Sequence, residues 1–394
     1  MPIKHKIAPA AVRVIGRLQE AGYDAYLVGG AVRDLLLGRE PKDYDLATAA
    51  TPEQVKAVFG RRARTIGRRF RLTHVYAEHT VFEVSTFRRE PTLEERRGRT
   101  TDSGLMVWRD NVYGTLEEDA RRRDFTINAV YYDPLNNAHQ VIDYVGGLPD
   151  MEARVVRMIG DPAIRMAEDP VRMLRALKLV GQYGFTLEDG VRQAIAGGAP
   201  QIRLCSQARL LEELYKILKK PYCLPIFTAC QEMGLLRHLV PQVGDGWDAP
   251  AGVQVRRLLG MRDELLARNE VFASRVTGMC VLILPFVAAA CGAPEDAPLW
   301  RNSAGIDGHL QGLVRDFLSP YNVPRHMVAK IRDTLLLQPK FMDGRNRKRT
   351  LRHPEYDRAR DLFGVWVPAL LPDQTERLAA WPPRMSHHRS EPEE

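Results

Sequence analysis

The run Tyr26-Leu-Val-Gly-Gly-Ala-Val-Arg-Asp-Leu-Leu-Leu-Gly38, followed by Lys42-Asp-Tyr-Asp-Leu46, decides how this chain is read. Tyr26 to Val28 is a short apolar run of β-formers and reads as a buried strand that stops at two glycines. Ala31 to Leu37 reads as a short helix ended by Gly38 and Pro41. A Gly-Gly turn lets backbone N–H groups come close to an anion, and the helix start behind it adds partial positive charge. Asp43-Tyr-Asp45 then falls in the setting of a second strand. Alternate residues of a strand share a face, so the spacing predicts two carboxylates pointing the same way. Two such charges are costly together unless a cation lies between them, and an oxygen pair suits Mg²⁺. A phosphate cradle beside a paired-carboxylate metal site is what metal-assisted phosphoryl or nucleotidyl transfer requires. Taken singly, a Gly-Gly is usually a turn and an Asp-x-Asp usually a solvated loop. Their succession within twenty residues is what points to chemistry.

Outward from this stretch, Pro9 to Ala21 has helical periodicity (Val12, Ile15, Leu18) with Gly22 as a stop. Thr51-Pro52-Glu53 opens another helix with a cap, a proline at the first position and an acid in the first turn. Arg61 to Arg71 carries six arginines. Ile66 to Val75 and Val81 to Phe87 read as two adjacent strands of one antiparallel pair. Arg88 to Asp110 is polar and aperiodic and reads as a loop over the site. In Gly114-Thr-Leu-Glu-Glu-Asp-Ala-Arg-Arg-Arg-Asp-Phe-Thr-Ile-Asn-Ala129, Thr115 and Glu118 have capping-box spacing, so a short helix begins there. Tyr131 to Asp133 and Gln140 to Tyr144 read as the last strands of this part. Farther on, Asp169 and Arg172 stand at i, i+3 in a helical pattern continued by Leu174, Leu177 and Val180, so they are expected to face together.

The chain has 394 residues, enough for several domains, with 45% hydrophobic and 27% charged residues. Lys+Arg exceeds Asp+Glu by 57 to 49, and the +8 balance fits a polyanionic partner without requiring one. Cys205, Cys223, Cys230, Cys280 and Cys291 lack metal-ligand spacing and read as reduced core thiols, which fits a cytoplasmic setting. The N-terminus lacks an apolar signal region. The longest apolar run, Met279 to Cys291, is too short to span a bilayer and reads as a buried helix, so no membrane partner is expected. From about residue 195 the chain reads as helices: Ala208 to Leu218, Leu224 to Met233, Val253 to Ala267, Phe272 to Ala290, Asn322 to Leu337 and Glu355 to Val365. The basic run Arg345 to Arg352 reads equally as a solvated face or an RNA-backbone contact.

Gly29-Gly30-x-Val32-Arg33-Asp34 with Asp43-x-Asp45 resembles the head signature of the class II nucleotidyltransferases, the family of bacterial poly(A) polymerases and tRNA CCA-adding enzymes. The resemblance extends to about residue 240. It implies an α+β head with a small mixed sheet at 1–147, a helical neck at 148–195 and an all-α RNA-binding body at 196–378. A disordered tail is expected from 379 to 394. It further implies that Asp43 and Asp45 hold two Mg²⁺ ions, with Asp124 as the third acidic residue of the site. Gly29, Gly30 and Arg33 would cradle the nucleotide's phosphates, and Asp34 would belong to the same nucleotide site. Arg122-Arg123-Asp124-Phe-Thr-Ile-Asn128 matches the family's Arg-Arg-Asp-x-x-x-Asn element, so Arg122, Arg123 and Asn128 would help fix the nucleotide.

Glu168-Asp169-x-x-Arg172, extended to Arg175, matches the family's protein template for the incoming base. Lys178-Leu179 departs from the usual Arg-Phe that follows. Gly67-Arg-Arg-Phe-Arg-Leu-x-His-Val75 looks like the poly(A) polymerase version of its segment, and the ten histidines never form a His-Asp pair. The expectation is therefore transfer of AMP from ATP to RNA 3′ ends, of mRNA or tRNA, with CCA or A addition to tRNA as the alternative. A reading of another class is a non-catalytic RNA-binding protein, but a pure binder gains nothing from clustering carboxylates near a polyanion.

Overall fold

The structure, a computed structural model, describes residues 7–67, 71–78, 80–92, 112–135, 141–294, 299–300, 306–344 and 346–383. The chain divides into two compact units, residues 1–172 with 185–194, and residues 173–184 with 195–394. The residues expected to form a neck are thus shared between the two.

The first unit is built on a mixed seven-stranded sheet of order β3-β4-β5-β2-β1-β6-β7. Its strands are β1 (Ala25–Val28), β2 (Asp45–Thr48), β3 (Ala63–Ile66), β4 (Leu72–Ala77), β5 (Thr80–Thr86), β6 (Val130–Tyr132) and β7 (Val141–Asp143). β1 lies near the middle, antiparallel to β2 and β6, and β2 runs parallel to β5. Leu27, Leu46 and Val84 are cross-strand neighbours on one face and are buried. On the other face, Val28, Ala47 and Tyr131 form a cluster with Phe87 and Ala120, and Tyr26 stacks on Phe87 at 6.2 Å.

Helix α1 (Pro9–Glu20) packs beside β1 through Val14, Ile15 and Leu18. Helix α2 (Gly30–Leu36) follows β1 directly. Helix α3 (Pro52–Phe59) begins with a full capping box between Thr51 and Gln54, a device worth about 1 kcal/mol. Helix α4 (Leu116–Arg121) begins with another, between Thr115 and Glu118. It lays Leu116 and Ala120 on the Tyr131 face, and helix α5 (Gly147–Glu152) follows β7.

Three expectations change. Ile66 to Val75 is not one strand: Ile66 ends β3 and Leu72 opens β4, with Gly67 at φ +80° after the first. Residues 68–70 lie outside the described part and Arg71 precedes β4, while β4 and β5 do pair antiparallel. Asp43 precedes β2, which begins at Asp45, so strand alternation alone does not align the two carboxylates. Asp169 is not on a helix with Arg172. It sits extended (φ −145°, ψ 90°) at the end of α6 (Pro162–Glu168), before Pro170 and helix α7 (Val171–Tyr183). Pro170 enforces that break, since the residue before a proline is driven out of the helical region. The loop read at Arg88 to Asp110 lies outside the described residues beyond Thr92.

The second unit is helical. Helices span Gln207–Leu218, Cys223–Glu232, Pro250–Ala267, Arg275–Ala290, Arg325–Leu336 and Tyr356–Leu370. The apolar run expected to be a buried helix is one, with Cys280 to Leu284 fully buried. Trp366 donates its indole N–H to Gln338 at 2.8 Å, and Gln338 donates to the Thr334 and Ala359 carbonyls, a buried polar group with its needs met. The tail does not become irregular at Ala379. A 3-10 turn runs Pro372–Ala380, and Trp381 is buried against Phe341, donating to its carbonyl at 3.0 Å. Residues 384–394 lie outside the described part. Among the described residues no helix is long and apolar enough to cross a membrane.

Candidate active site

The site lies where β1 runs into α2 in the first unit. Gly29 ends the strand at φ +72°, ψ −136°, a conformation that side chains avoid, so glycine is required on backbone grounds. A Cβ there would stand 3.8 Å from Asp45 Oδ2 and 3.7 Å from Arg123 Nη1. Gly29 is therefore a bare patch of backbone between an acid and a guanidinium. Gly30 starts α2, and Arg33 one turn on is buried. Arg33 donates to Asn128 Oδ1 at 2.6 Å and to Asp34 Oδ1 at 2.8 and 3.0 Å. Arg33, Asp34 and Asn128, far apart in sequence, are one connected group.

Asp45 stands opposite Val28 on β1 and Glu83 on β5, on the Tyr131 face. It is exposed at the strand's start, yet the protein crowding it pushes its carboxyl up to about 6. Glu83 and Asp43 push the same way, and Arg123 opposes them. Sequence reasoning misses Glu83, whose only signal is an acid between Phe82 and Val84 in an alternating strand. His74, across from Glu83 on β4, has Nε2 3.7 Å from Glu83 Oε1. Among the described residues no three His, Cys, Asp or Glu side chains gather as a closed metal cluster.

Asp119 is the larger omission. It is 1% exposed on α4 and accepts from Arg122, Arg123, the Tyr131 hydroxyl and the Arg88 backbone N–H. Burial alone would raise its carboxyl, but Arg123 and Arg122, then Tyr131, hold it below the usual carboxylate range. In the sequence it is legible only as an acid three and four residues before two arginines.

Asp124 follows, half-buried, with Oδ1 accepting from the Phe125 N–H at 2.9 Å. Phe125, Ile127 and Val130 behind it are buried. Arg172 feels both Asp124 and Asp169: burial and Arg165 lower its pKa, and the two acids oppose that. Arg172 donates to the Arg165 carbonyl at 2.6 Å and pairs with Glu168 at 3.3 Å. Arg165, also missed, donates to the Arg122 and Arg123 carbonyls at 2.6 and 3.1 Å and pairs with Glu90 and Glu168. The break after α6 is thus tied to the Arg122–Arg123 segment by a buried guanidinium. Arg175 lies one turn beyond Arg172, in the part of α7 that groups with the second unit. There the departing Lys178 pairs with buried Glu213 at 2.9 Å, and Lys216 adds a second contact at 3.0 Å. Burial would raise the Glu213 carboxyl, but the two lysines bring it to about 2.

A glycine-stopped strand feeding a short helix, with acids at the rim of a mixed sheet, defines a nucleotidyltransferase head. The family described as "Poly A polymerase head domain" matches residues 25–157, and "Probable RNA and SrmB- binding site of polymerase A" matches residues 184–245. Poly(A) polymerase I of Haemophilus influenzae is 35% identical over 383 residues, 94% of this chain and 83% of that protein. The CCA-adding enzyme of Geobacillus thermodenitrificans is 37% identical over 260 residues, 66% of this chain and 60% of that protein. Among solved structures, the Bacillus stearothermophilus CCA-adding enzyme in complex with CTP aligns with TM-score 0.62 and 28% identity, covering 95% of this chain and 82% of that one. The chain belongs to the bacterial poly(A) polymerase family.

Proposed function

We propose that the protein transfers AMP from ATP to RNA 3′ ends, releasing pyrophosphate, without a nucleic-acid template. The observation that carries this reading is the placement of Asp45 beside the bare backbone of Gly29, its carboxyl raised by its surroundings and by Glu83 and Asp43. A carboxylate whose ionisation is made costlier by neighbouring acids fits a hard divalent cation, and oxygen donors favour Mg²⁺. Asp43 and Asp45, with Glu83 across the strand, would hold two such ions. When bound, Mg²⁺ lowers the pKa of the attacking 3′-hydroxyl and neutralises charge growing on the α-phosphate.

The chain's own residues do the rest. The Gly29 and Gly30 amides and the permanently charged Arg33 and Arg123 would bind the phosphates, Arg33 held in aim by Asn128 and Asp34. Arg122 would support the same segment, and Asp124 would hold the ribose or join the metal region. Asp169 and Arg172 would read the base. Adenine offers an amino donor beside a ring-nitrogen acceptor, matched to a carboxylate and a guanidinium, whereas guanine and uracil present the reverse. Arg175 would support this pair, and the exposed Arg347, Lys348 and Arg349 of the body would meet RNA phosphates. The expected fourth member, Arg345, lies outside the described residues. The reaction belongs in the cytoplasm, in keeping with five cysteines none of which forms a disulfide.

Cytosine shows the same donor–acceptor pair as adenine, so CCA addition remains the second reading. The test offers each of the four NTPs, radiolabelled, with unstructured RNA and with tRNA lacking its 3′ end. Long AMP runs on unstructured RNA are expected. CMP and AMP addition confined to the trimmed tRNA would establish the second reading, and no incorporation at all would leave a binding protein.

A further inference from the structure

Arg123 is held by three bonds that use only part of its guanidinium. Nε donates to the Tyr131 hydroxyl at 3.0 Å and to Asp119 Oδ2 at 3.2 Å, and Nη2 donates to the same oxygen at 2.9 Å. Tyr131 in turn donates to Asp119 Oδ2 at 2.6 Å, closing a ring of three side chains. Its ring also lies 5.3 Å from the Arg123 guanidinium carbon. Nη1 makes none of these bonds, and it is the Arg123 atom nearest the space above Gly29, 3.7 Å from where a Cβ would be. The arrangement is a clamp on one edge of the fork that leaves the other edge turned toward the glycine backbone.

The anchors are rigid. Asp119 is fixed a second time by Arg122 and by the Arg88 N–H, both on Oδ1. Tyr131 is fully buried on β6, directly opposite Val28 at the end of β1. The strand that ends at Gly29 therefore carries, through its neighbour, the hydroxyl that aims the arginine. Arginine suits this use and lysine does not, because only a planar fork can be gripped on one edge while offering the other.

We infer that Asp119 and Tyr131 are positioning residues that hold Arg123 so that its Nη1 edge meets a phosphate group of the nucleotide seated at Gly29. They touch no substrate themselves. The inference rests on the nucleotidyltransferase reading above. It adds that the buried triad serves nucleotide affinity and not the fold alone.

The experiment measures the Kd of a non-hydrolysable ATP analogue, and kcat and KM for AMP incorporation, in wild type, Asp119→Asn, Tyr131→Phe, Arg123→Gln and the double variants. Asp119→Asn keeps the volume but loses the charge that grips the fork. Its Kd and KM for ATP are expected to rise about tenfold with RNA affinity unchanged, the size of one charge-assisted hydrogen bond. Tyr131→Phe is expected to raise them about threefold, because it removes the hydroxyl bridging Arg123 Nε and Asp119 Oδ2 but leaves the direct bonds between those two side chains. The deciding result is the cycle: in the Arg123→Gln background neither anchor variant should change the Kd further. Equal effects in both backgrounds, or an unchanged Kd in Asp119→Asn with a native melting curve, would overturn the inference. If Asp119→Asn does not fold, Tyr131→Phe carries the same cycle and decides it by the same two outcomes. Failure of the underlying reading looks different: wild type itself would neither bind the analogue nor incorporate AMP.

Discussion

Asp45 and Asp119 share one neighbour, Arg123, and are pushed in opposite directions. Asp45 is exposed at the rim of the sheet, crowded by protein and by Glu83 and Asp43, and its carboxyl rises to about 6. Asp119 is buried beneath the sheet face, paired with two arginines and a tyrosine, and its carboxyl falls below the usual range. Desolvation pushes both carboxyls up and is the largest cause for Asp45, so it does not account for the difference. The balance of partners does: one acid has its charge answered within the protein, and the other faces two more acids and a single guanidinium. An answered buried charge is what a scaffold requires, while an unanswered one at a rim beside bare backbone is what a ligand site requires.

The sharpest way to break this contrast is to remove each acid. Asp45→Ala or Asp43→Ala should abolish AMP incorporation, by roughly 10³-fold or more if several kcal/mol of metal-supplied stabilisation are lost. The melting temperature should hold, because neither side chain builds the core. Near-wild-type turnover in either variant would remove the metal assignment. Asp119→Ala should do the reverse and strike the fold first. It strands Arg122, Arg123 and the Tyr131 hydroxyl and should cost about 3 kcal/mol in urea unfolding of the head. A loss below about 1 kcal/mol would mean that water answers those groups as well as Asp119 does.

A smaller effect falls on base choice. Arg172→Ala should cut kcat/KM for ATP and narrow its lead over GTP by about 1–3 kcal/mol, read from all four NTPs on one RNA primer. Asp169→Ala should do likewise. If both keep the wild-type ranking and ratios, this pair is part of the ion network around Arg165 and Glu168 and reads no base.

How far the sequence carries this picture differs from residue to residue. Gly29, Gly30, the helix cap at Thr51 and the capping box at Thr115 are legible because their backbone demands are local. The strand-to-helix turn comes out within one residue for the same reason. Asp169 misleads because helical spacing extends across Pro170, whose effect on its predecessor outweighs the i, i+3 pattern. Ile66 to Val75 misleads because β-formers stand on both sides of Gly67, whose positive φ follows the end of β3. Asp119 shows only its i, i+3 and i, i+4 spacing to Arg122 and Arg123, and Glu83 and Arg165 are hidden for another reason. Their meaning lies in cross-strand register and in bonds to distant carbonyls, neither of which leaves a periodic mark. Trp381 shows the same limit in the body: a polar, proline-rich context hides one buried aromatic anchor.

The smallest effect is a linkage that tests the contrast without catalysis. For Asp45 the folded value of about 6 lies above the ordinary 3.8, so the folded protein binds this proton more tightly than the unfolded chain. In buffer with EDTA, stability contributed by the protonated group is complete below the ordinary value and is lost as pH rises through about 6. An Asp45→Asn variant carries no such cost, so it should melt above wild type at pH 7.5, with the difference shrinking to nothing near pH 4. Solvent reaches Asp45, so the gain should stay well below the loss in Asp119→Ala. Asp119 must show the opposite sign, because its folded value is lowered. Asp119→Asn should melt below wild type at pH 7.5, and the deficit should shrink only as pH falls below the ordinary carboxylate value. Adding Mg²⁺ then separates a site from a mere repulsion: it should raise the melting temperature of wild type at pH 7.5 and leave Asp45→Asn almost unmoved. An Asp45→Asn difference that is flat from pH 4 to 7.5, or an equal Mg²⁺ gain in both proteins, would mean that Asp45 is an ordinary solvated acid, and the contrast with Asp119 would be one of burial alone.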